Sequence, residues 1–378
     1  MAGIYIHIPF CRKACHYCDF HFSTNLTYRA EMVKALIREI QLQQNFLEGK
    51  PVETIYFGGG TPSVLSAGEI SDLISMIYGL HTVAERPEIT LEANPDDLAL
   101  PYMSDIRQAG VNRLSIGTQS FHEELLRFMN RSHTAEQSVR SVEDARSAGF
   151  DNLNMDLIYA VPAGSTAMWH KDLELMMAVR PEHISAYHLT IEEKTVFGNW
   201  YDKGKIDLPE EDQSIAQYNL LSDTLRANGY DHYEVSNFAQ PGFRSQHNGS
   251  YWKGKHYLGI GPGAHSYNGK MRQYNVSHNI RYMRALEDDK LTYEKEILTR
   301  ENKINEYLLT GLRTLNGIDE KVMADRFGYS FTEQEKDYLR KLRHKEKILY
   351  KNDRWVLTEK GFLLADQIAE DLFTEDHD

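Results

Sequence analysis

Up to about residue 195 the chain repeats one pattern, a short β-type apolar run followed by an amphipathic stretch of helical period. The runs are GIYIHI (3–8), TIYFGG (54–59), EITLEAN (88–94), RLSIGTQ (113–119), LNMDLIYAVP (153–162) and HISAYHL (183–189). Helical stretches lie between them near 27–47, 66–80, 97–109, 134–148 and 166–178, and the third and fourth leave through the glycines of AGV and AGF. Nearly continuous apolar strands alternating with helices predict an α/β fold with a parallel sheet and right-handed crossovers. Six such units make a partial, open (β/α)6 barrel, where a full one has eight.

In barrels of this kind the chemistry sits at the C-terminal ends of the strands. Polar and glycine residues fall at those ends here: Gly58 to Thr61, Glu92, Gln119, Asp156 and Thr190. Any one of them could be an ordinary loop residue. Five strands that share the registration point to a site.

Beyond residue 195 the rhythm changes. YDKGKIDLPEED reads as a loop into a helix at 210–228, and 231–267 is rich in aromatic, histidine and glycine residues. Helices at 299–314, 319–327 and 332–344 precede two β-runs around the turn KNDR and a last helix, the pattern of an α+β winged-helix-like module. The expected organisation is therefore a barrel over 1–200, a barrel extension and connecting region over 201–295, and the winged-helix-like domain over 296–378.

A net charge of −13, from 42 basic and 55 acidic residues, argues against a nucleic-acid surface, and the acidic tail EDLFTEDHD argues against DNA binding by the winged module. No apolar run reaches the ~18 residues of a membrane span, and the opening MAGIYIHIPF lacks a basic n-region and a cleavage site. A cytoplasmic protein is expected.

All three cysteines stand within eight residues, at Cys11, Cys15 and Cys18, in HIPFCRKACHYCDFHF. An odd number so close together cannot be a disulfide framework. Thiolates are soft ligands suited to zinc, copper(I) or an iron–sulfur cluster. Zinc requires a fourth ligand, which His16 or His21 could supply; a cluster held by three cysteines instead leaves one iron open.

The motifs resemble a known family. C-x3-C-x2-C followed by GGGTP at 58–62 is the pattern of the radical S-adenosylmethionine superfamily. YIHIPFC, GGGTPS, LEANPDD, RLSIGTQSF, MNRSH, NMDLIYAVP and ISAYHLT are similar, in order, to the oxygen-independent coproporphyrinogen oxidase family. The resemblance implies that Cys11, Cys15 and Cys18 ligate three irons of a 4Fe–4S cluster, whose open iron is chelated by S-adenosylmethionine. It also implies that Tyr5, Tyr17, Gly59 and Glu92 serve that ligand, while Gly60, Thr61, Gln119, Arg131, Asp156 and Thr190 match positions of a second S-adenosylmethionine site. A guanidinium and a carboxylate suit a zwitterionic amino acid, and glycine permits close backbone approach.

Two departures separate the branches of that family. The oxidase branch continues to C-x3-C-x2-C-x-C, where this sequence has Phe20, and it carries a long N-terminal extension where this chain reaches its cluster motif within eleven residues. HNGSYW at 247–252, followed by YLGIGPGAHSY, resembles the H-N-x-x-Y-W signature of the HemW-type heme-chaperone branch. That resemblance implies heme as a cofactor, with His247 as an axial ligand and Tyr251 and Trp252 against the porphyrin. His265 is a weaker candidate, for heme or for the S-adenosylmethionine site. The expected function is binding of heme and its transfer to acceptor proteins, respiratory hemoproteins at the membrane among them, with a homodimer as one allowed assembly. The alternative is oxidative decarboxylation of coproporphyrinogen III. Phe20, the short N-terminus and HNGSYW point away from that activity.

Overall fold

All six predicted barrel strands form, and they hydrogen-bond in sequence order. The computed structural model describes residues 1–374; the last four residues of the acidic tail, 375–378, lie outside the described residues. The barrel runs β1 (Ala2–Ile8), α1 (Arg29–Leu42), β2 (Val52–Gly59), α2 (Ala67–Leu80), β3 (Val83–Ala93), α3 (Leu100–Gln108), β4 (Arg113–Gln119), α4 (Glu123–Phe128), α5 (Ala135–Ser147), β5 (Leu153–Tyr159), α6 (Thr166–Val179) and β6 (His183–His188). These strands pair in parallel throughout. The short α4 has no counterpart in the sequence reading. It is only 6 residues long, too brief to show a helical period.

The following segments add to both edges of the same sheet. After α7 (Val196–Asp202) and α8 (Glu211–Ala227), β7 (Asp231–Glu234) and β8 (Asn237–Ala239) extend it beside β6. After α9 (Gln246–Trp252), β9 (His256–Ile260) pairs in parallel with β1, and β10 (His265–Tyr267), β11 (Met271–Asn275) and β12 (Tyr293–Ile297) continue antiparallel, α10 (Asn279–Glu287) lying between the last two. The result is a 12-stranded sheet whose middle is the six-unit barrel.

The strands are two-faced rather than continuously apolar. Ile4, Ile6, Ile55, Phe57, Leu91, Leu114, Ile116 and Met155 are buried in one core with Leu36, Leu73, Met103 and Leu173 of the surrounding helices. Each such side chain stabilises the fold by roughly 1.5–3 kcal/mol. Alternate residues are aromatic or polar and line up across the strands: Tyr5 opposite Tyr56, Tyr56 opposite Thr90, and Thr90 opposite Arg113. Further along, Glu92 faces Ser115, Ser115 faces Asn154, and Asp156 faces Ser185. A full barrel packs its interior with branched apolar side chains; this open one keeps a polar lumen, which has use only around a polar ligand.

Local sequence sets the helix ends. Ser66 and Glu69 form a capping box on α2, and Thr134 and Gln137 form one on α5. The C-terminal module comprises α11 (Arg300–Leu312), β13 (Ile318–Asp319), α12 (Glu320–Phe327), α13 (Glu333–His344), β14 (Ile348–Lys351), β15 (Arg354–Leu357), α14 (Glu359–Phe362) and α15 (Ala365–Glu370). Its sheet has the order β13-β15-β14. Asn352 and Asp353 have φ of 54° and 60°, as a type I′ hairpin turn requires. Among the described residues no helix is long and apolar enough to cross a membrane.

Gly259 lets β9 pack closely against β10, because a Cβ there would stand 2.0 Å from the His265 carbonyl oxygen. Gly259→Ala should therefore cost about 1–3 kcal/mol, read as a lower denaturant midpoint. Gly249→Ala in α9, where a Cβ meets nothing within 4 Å, should gain about 0.5–1 kcal/mol in the same assay.

Candidate cluster and S-adenosylmethionine site

The cysteine loop leaves β1 and is fastened at both ends. Cys11 N–H donates to the Ser23 carbonyl at 3.0 Å, and Ser23 N–H donates to the Pro9 carbonyl at 2.9 Å. Further on, His16 N–H donates to the Met129 carbonyl at 3.1 Å and Asn130 Nδ2 donates to the Ala14 carbonyl at 2.6 Å. The three thiols open onto a cavity of about 420 Å³ at the C-terminal ends of the barrel strands. Tyr17, Gly59, Gly60, Thr61, Glu92, Gln119, Arg131, Asp156 and Thr190 line the same cavity.

The two histidines that zinc would need are turned elsewhere. His16 Nδ1 lies 2.9 Å from the Phe128 carbonyl, and His21 Nε2 lies 2.7 Å from Asn279 Oδ1. Burial pushes the Cys11 thiol up to about 11 and Cys18 to about 12, so both reach the thiolate state through metal binding. Two donors already point at sulfur: Thr61 Oγ1 to Cys11 Sγ at 3.4 Å and Arg131 Nη1 to Cys15 Sγ at 3.2 Å. Three thiols with sulfur-directed donors and, among the described residues, no fourth protein ligand fit a 4Fe–4S cluster with one open iron. Cys11, Cys15 and Cys18 would hold it, and when bound it supplies an electron at low potential.

Arg131 ties the site together. Its other Nη donates to Asn94 Oδ1 and to the Gly117 carbonyl, both at 2.7 Å. One guanidinium thereby joins the cysteine loop, the end of β3 and the end of β4. Glu92 accepts from Tyr56 Oη at 2.7 Å and from Gly59 N–H at 3.2 Å. Burial raises its carboxyl to about 7, and nearby Asp156 adds to the rise. Asp156 itself is raised by burial to about 6, while Asn154 Nδ2, 2.7 Å from its Oδ1, opposes the shift.

Close approach explains the glycines. Gly59 has φ +108°, and a Cβ there would stand 2.5 Å from His7 Nδ1; at Gly60 it would stand 2.6 Å from the Phe10 carbonyl oxygen. Gln119 holds φ 64° at the end of β4, a backbone strain of the kind found at functional sites.

The remaining expected residues lie apart from this cavity. Tyr5 faces a neighbouring cleft, its hydroxyl 3.2 Å from His7 Nδ1 and its ring stacked on Tyr56. His247, expected as an axial ligand, is 2 % exposed: its Nδ1 lies 2.7 Å from Thr54 Oγ1 and its Nε2 lies 2.9 Å from Tyr251 Oη. Burial drops its pKa to about 3, and in this arrangement neither nitrogen is free for iron. The helix that carries it, α9, closes the N-terminal end of the barrel. Glu88 accepts from the Gln246 and His247 N–H groups, and the ring packs where Gly3 has no side chain. Tyr251 stands between two clefts, while Trp252 faces the C-terminal module under the Arg313 guanidinium at 5.5 Å. Tyr251 and Trp252 thus line one cleft together, while His247 lies buried in hydrogen-bond contact with Tyr251.

The sequence reading missed Asn94, Ser115, Gly117, Tyr187 and His188, which also line the cavity. Period-two alternation inside the strands carried the signal for Ser115, Gly117 and Tyr187. It missed Arg113 as well, 1 % exposed inside the barrel, whose Nε and one Nη have no hydrogen-bond partner among the described residues.

Replacing Cys11, Cys15 or Cys18 with alanine should abolish the brown absorption and the content of about four irons per reconstituted chain, with the far-ultraviolet circular dichroism unchanged. Arg131→Met removes both a positive charge and a donor to sulfur, so the cluster potential should fall in a redox titration followed by electron paramagnetic resonance. An ionised carboxylate offers two acceptor oxygens and a negative charge; protonation removes the charge and turns one oxygen into a donor. S-adenosylmethionine affinity of the cluster-loaded protein should therefore weaken as the pH drops below about 7, and Glu92→Gln should flatten that dependence in calorimetry.

Comparison with known proteins agrees with this geometry. Residues 5–176 match the Radical SAM superfamily and residues 298–364 match the HemN C-terminal domain. The chain is 37% identical over 374 residues to a heme chaperone HemW from Lactococcus lactis subsp. lactis, covering 98% of this chain and 97% of that relative. It is 35% identical over 372 residues to the corresponding protein of Bacillus subtilis, covering 97% and 98%. Its fold matches coproporphyrinogen III oxidase (HemN) from Escherichia coli with a TM-score of 0.85 at 24% identity, covering 99% of this chain and 90% of that one. A cysteine triad and polar lumen built on the radical S-adenosylmethionine barrel, with relatives matched over nearly their full length, place this chain in the HemW family of the radical SAM superfamily.

Proposed function

We propose that the protein is a heme chaperone. It holds a 4Fe–4S cluster and S-adenosylmethionine in the barrel, binds heme, and passes it to acceptor hemoproteins, including respiratory ones at the membrane, from a cytoplasmic location. The observation that carries the reading is likeness at 37% identity over 97% of a heme chaperone. The likeness to the oxidase, at 24% identity, speaks only to fold. Phe20 supports the same reading: it stands where the oxidase branch has a further cysteine, and it is 67 % exposed on the rim of the cluster cavity. An exposed phenyl ring there favours an apolar ligand over a catalytic thiol.

In this reading the cluster and S-adenosylmethionine order the cysteine loop and the barrel mouth. The residues that would do so are the three cysteines, Arg131, Glu92 and Asp156. Gly60, Thr61, Gln119 and Thr190 are proposed to line the part of the cavity a second S-adenosylmethionine would take.

Purified protein reconstituted without oxygen should bind heme stoichiometrically, give a shifted Soret band, and hand the heme to an apo-hemoprotein, followed as recovery of that acceptor's spectrum. The same preparation, given reductant, S-adenosylmethionine and coproporphyrinogen III, should form no protoporphyrinogen IX. Turnover of that substrate with no heme transfer would replace the chaperone by the oxidase.

A further inference from the structure

A second cleft, of about 700 Å³, lies next to the cluster cavity and shares Asp19, Phe20 and Phe22 with it. Phe20 and Phe22 of the cysteine loop line it together with Tyr5 and with Tyr251 and Tyr257, whose rings meet edge to face at 4.7 Å. His265 opens into this cleft from the start of β10.

The cleft holds histidines with very different freedom. His7 is buried, with Nε2 2.8 Å from the His21 carbonyl and Nδ1 3.2 Å from Tyr5 Oη. His21 is held by Asn279. His265 is exposed, and among the described residues neither of its nitrogens has a hydrogen-bond partner; its ring rests edge-on against Tyr274 at 4.7 Å. Its backbone is anchored, since the neighbouring Ser266 Oγ accepts from Gly259 N–H at 2.9 Å. This is a fixed strand carrying a free imidazole.

The chemistry of the walls narrows the ligand. A lining with five aromatic rings, Tyr5, Phe20, Phe22, Tyr251 and Tyr257, suits a flat conjugated ring system. Among the described residues no lysine or arginine lines the cleft, and Asp19 does, which disfavours a phosphate or other polyanion buried there. An imidazole without a protein partner, beside aromatic rings, is a ligand set for an iron porphyrin whose carboxylates stay in solvent. Burial and the nearby Arg272 lower the pKa of His265, so the ring is neutral near pH 7 and a lone pair is available.

We infer that this cleft is the heme site and that His265, rather than His247, is the axial ligand. The inference rests on the chaperone reading and adds the location and the ligand. One imidazole nitrogen of His265 would offer its lone pair to the iron, and Phe20, on the wall shared with the cluster cavity, would give the macrocycle an apolar contact. Because Phe20 follows Cys18 by two residues, the loop that carries the cluster also forms a wall of the heme slot.

The test is a heme titration of cluster-loaded wild type, His265→Gly and His247→Gln, read by Soret position and spin state. Expected is heme binding in wild type, about tenfold or more weaker binding with loss of the histidine-ligated spectrum in His265→Gly, and its restoration by added imidazole. His247→Gln should keep that spectrum; cluster content, measured in each protein, reports whether the fold survives. Wild-type affinity and spectrum in His265→Gly would overturn the assignment of His265 while leaving the chaperone reading intact. Absence of heme binding by cluster-loaded wild type would overturn the chaperone reading itself, and this site with it.

Discussion

Six parallel strands that carry isoleucine and leucine on one face and hydroxyl, amide, carboxylate and guanidinium groups on the other have few ways to satisfy both. They can lay their apolar faces on helices and curl so that the polar faces meet one another. The register across the strands does this, setting Glu92 against Ser115 and Asn154 against His183. A polar group buried without partners costs a few kcal/mol, so such a lumen persists only where its members pair with one another or with a ligand. Every site residue follows from that curl, because it brings the ends of β2 to β6 to one opening.

Arg131 fixes the opening. A cation buried among the ends of two strands is costly unless paired, and here it donates to Asn94, to Gly117 and to the Cys15 sulfur. These hydrogen bonds hold the cysteine loop against the barrel. The same loop carries Phe20 and Phe22, which line both cavities, so cluster order and the aromatic slot beside it are parts of one segment.

Much of the fold was legible. The six runs and five helical stretches fall on their elements, and KNDR forms the hairpin turn through the positive φ of Asn352 and Asp353. Registration of Glu92, Gln119 and Asp156 at strand ends pointed to the cavity they do share. The polar lumen was not read, because Tyr5, Tyr56 and Thr90 are β-formers that count as strand residues whichever face they take. The burial of His247 was not legible for a related reason. A motif gives residue types and spacing, while burial under Thr54 and Tyr251 is decided by β2 and by the helix around the ring.

The sequence by itself determined the β/α rhythm, the three-thiol metal motif and the branch signature of Phe20 with HNGSYW, because each is local in the chain. Tertiary structure decided which side chains share a space. Tyr5 and the cysteines are near neighbours in sequence, yet they face different cavities on either side of the loop. Cys15 and Arg131, far apart in sequence, touch through a 3.2 Å hydrogen bond. His265 gains its place opposite Phe20 only because β9 adds to β1 and turns back into β10. Pairing between distant strands sets such neighbours, and no short window of sequence contains both partners.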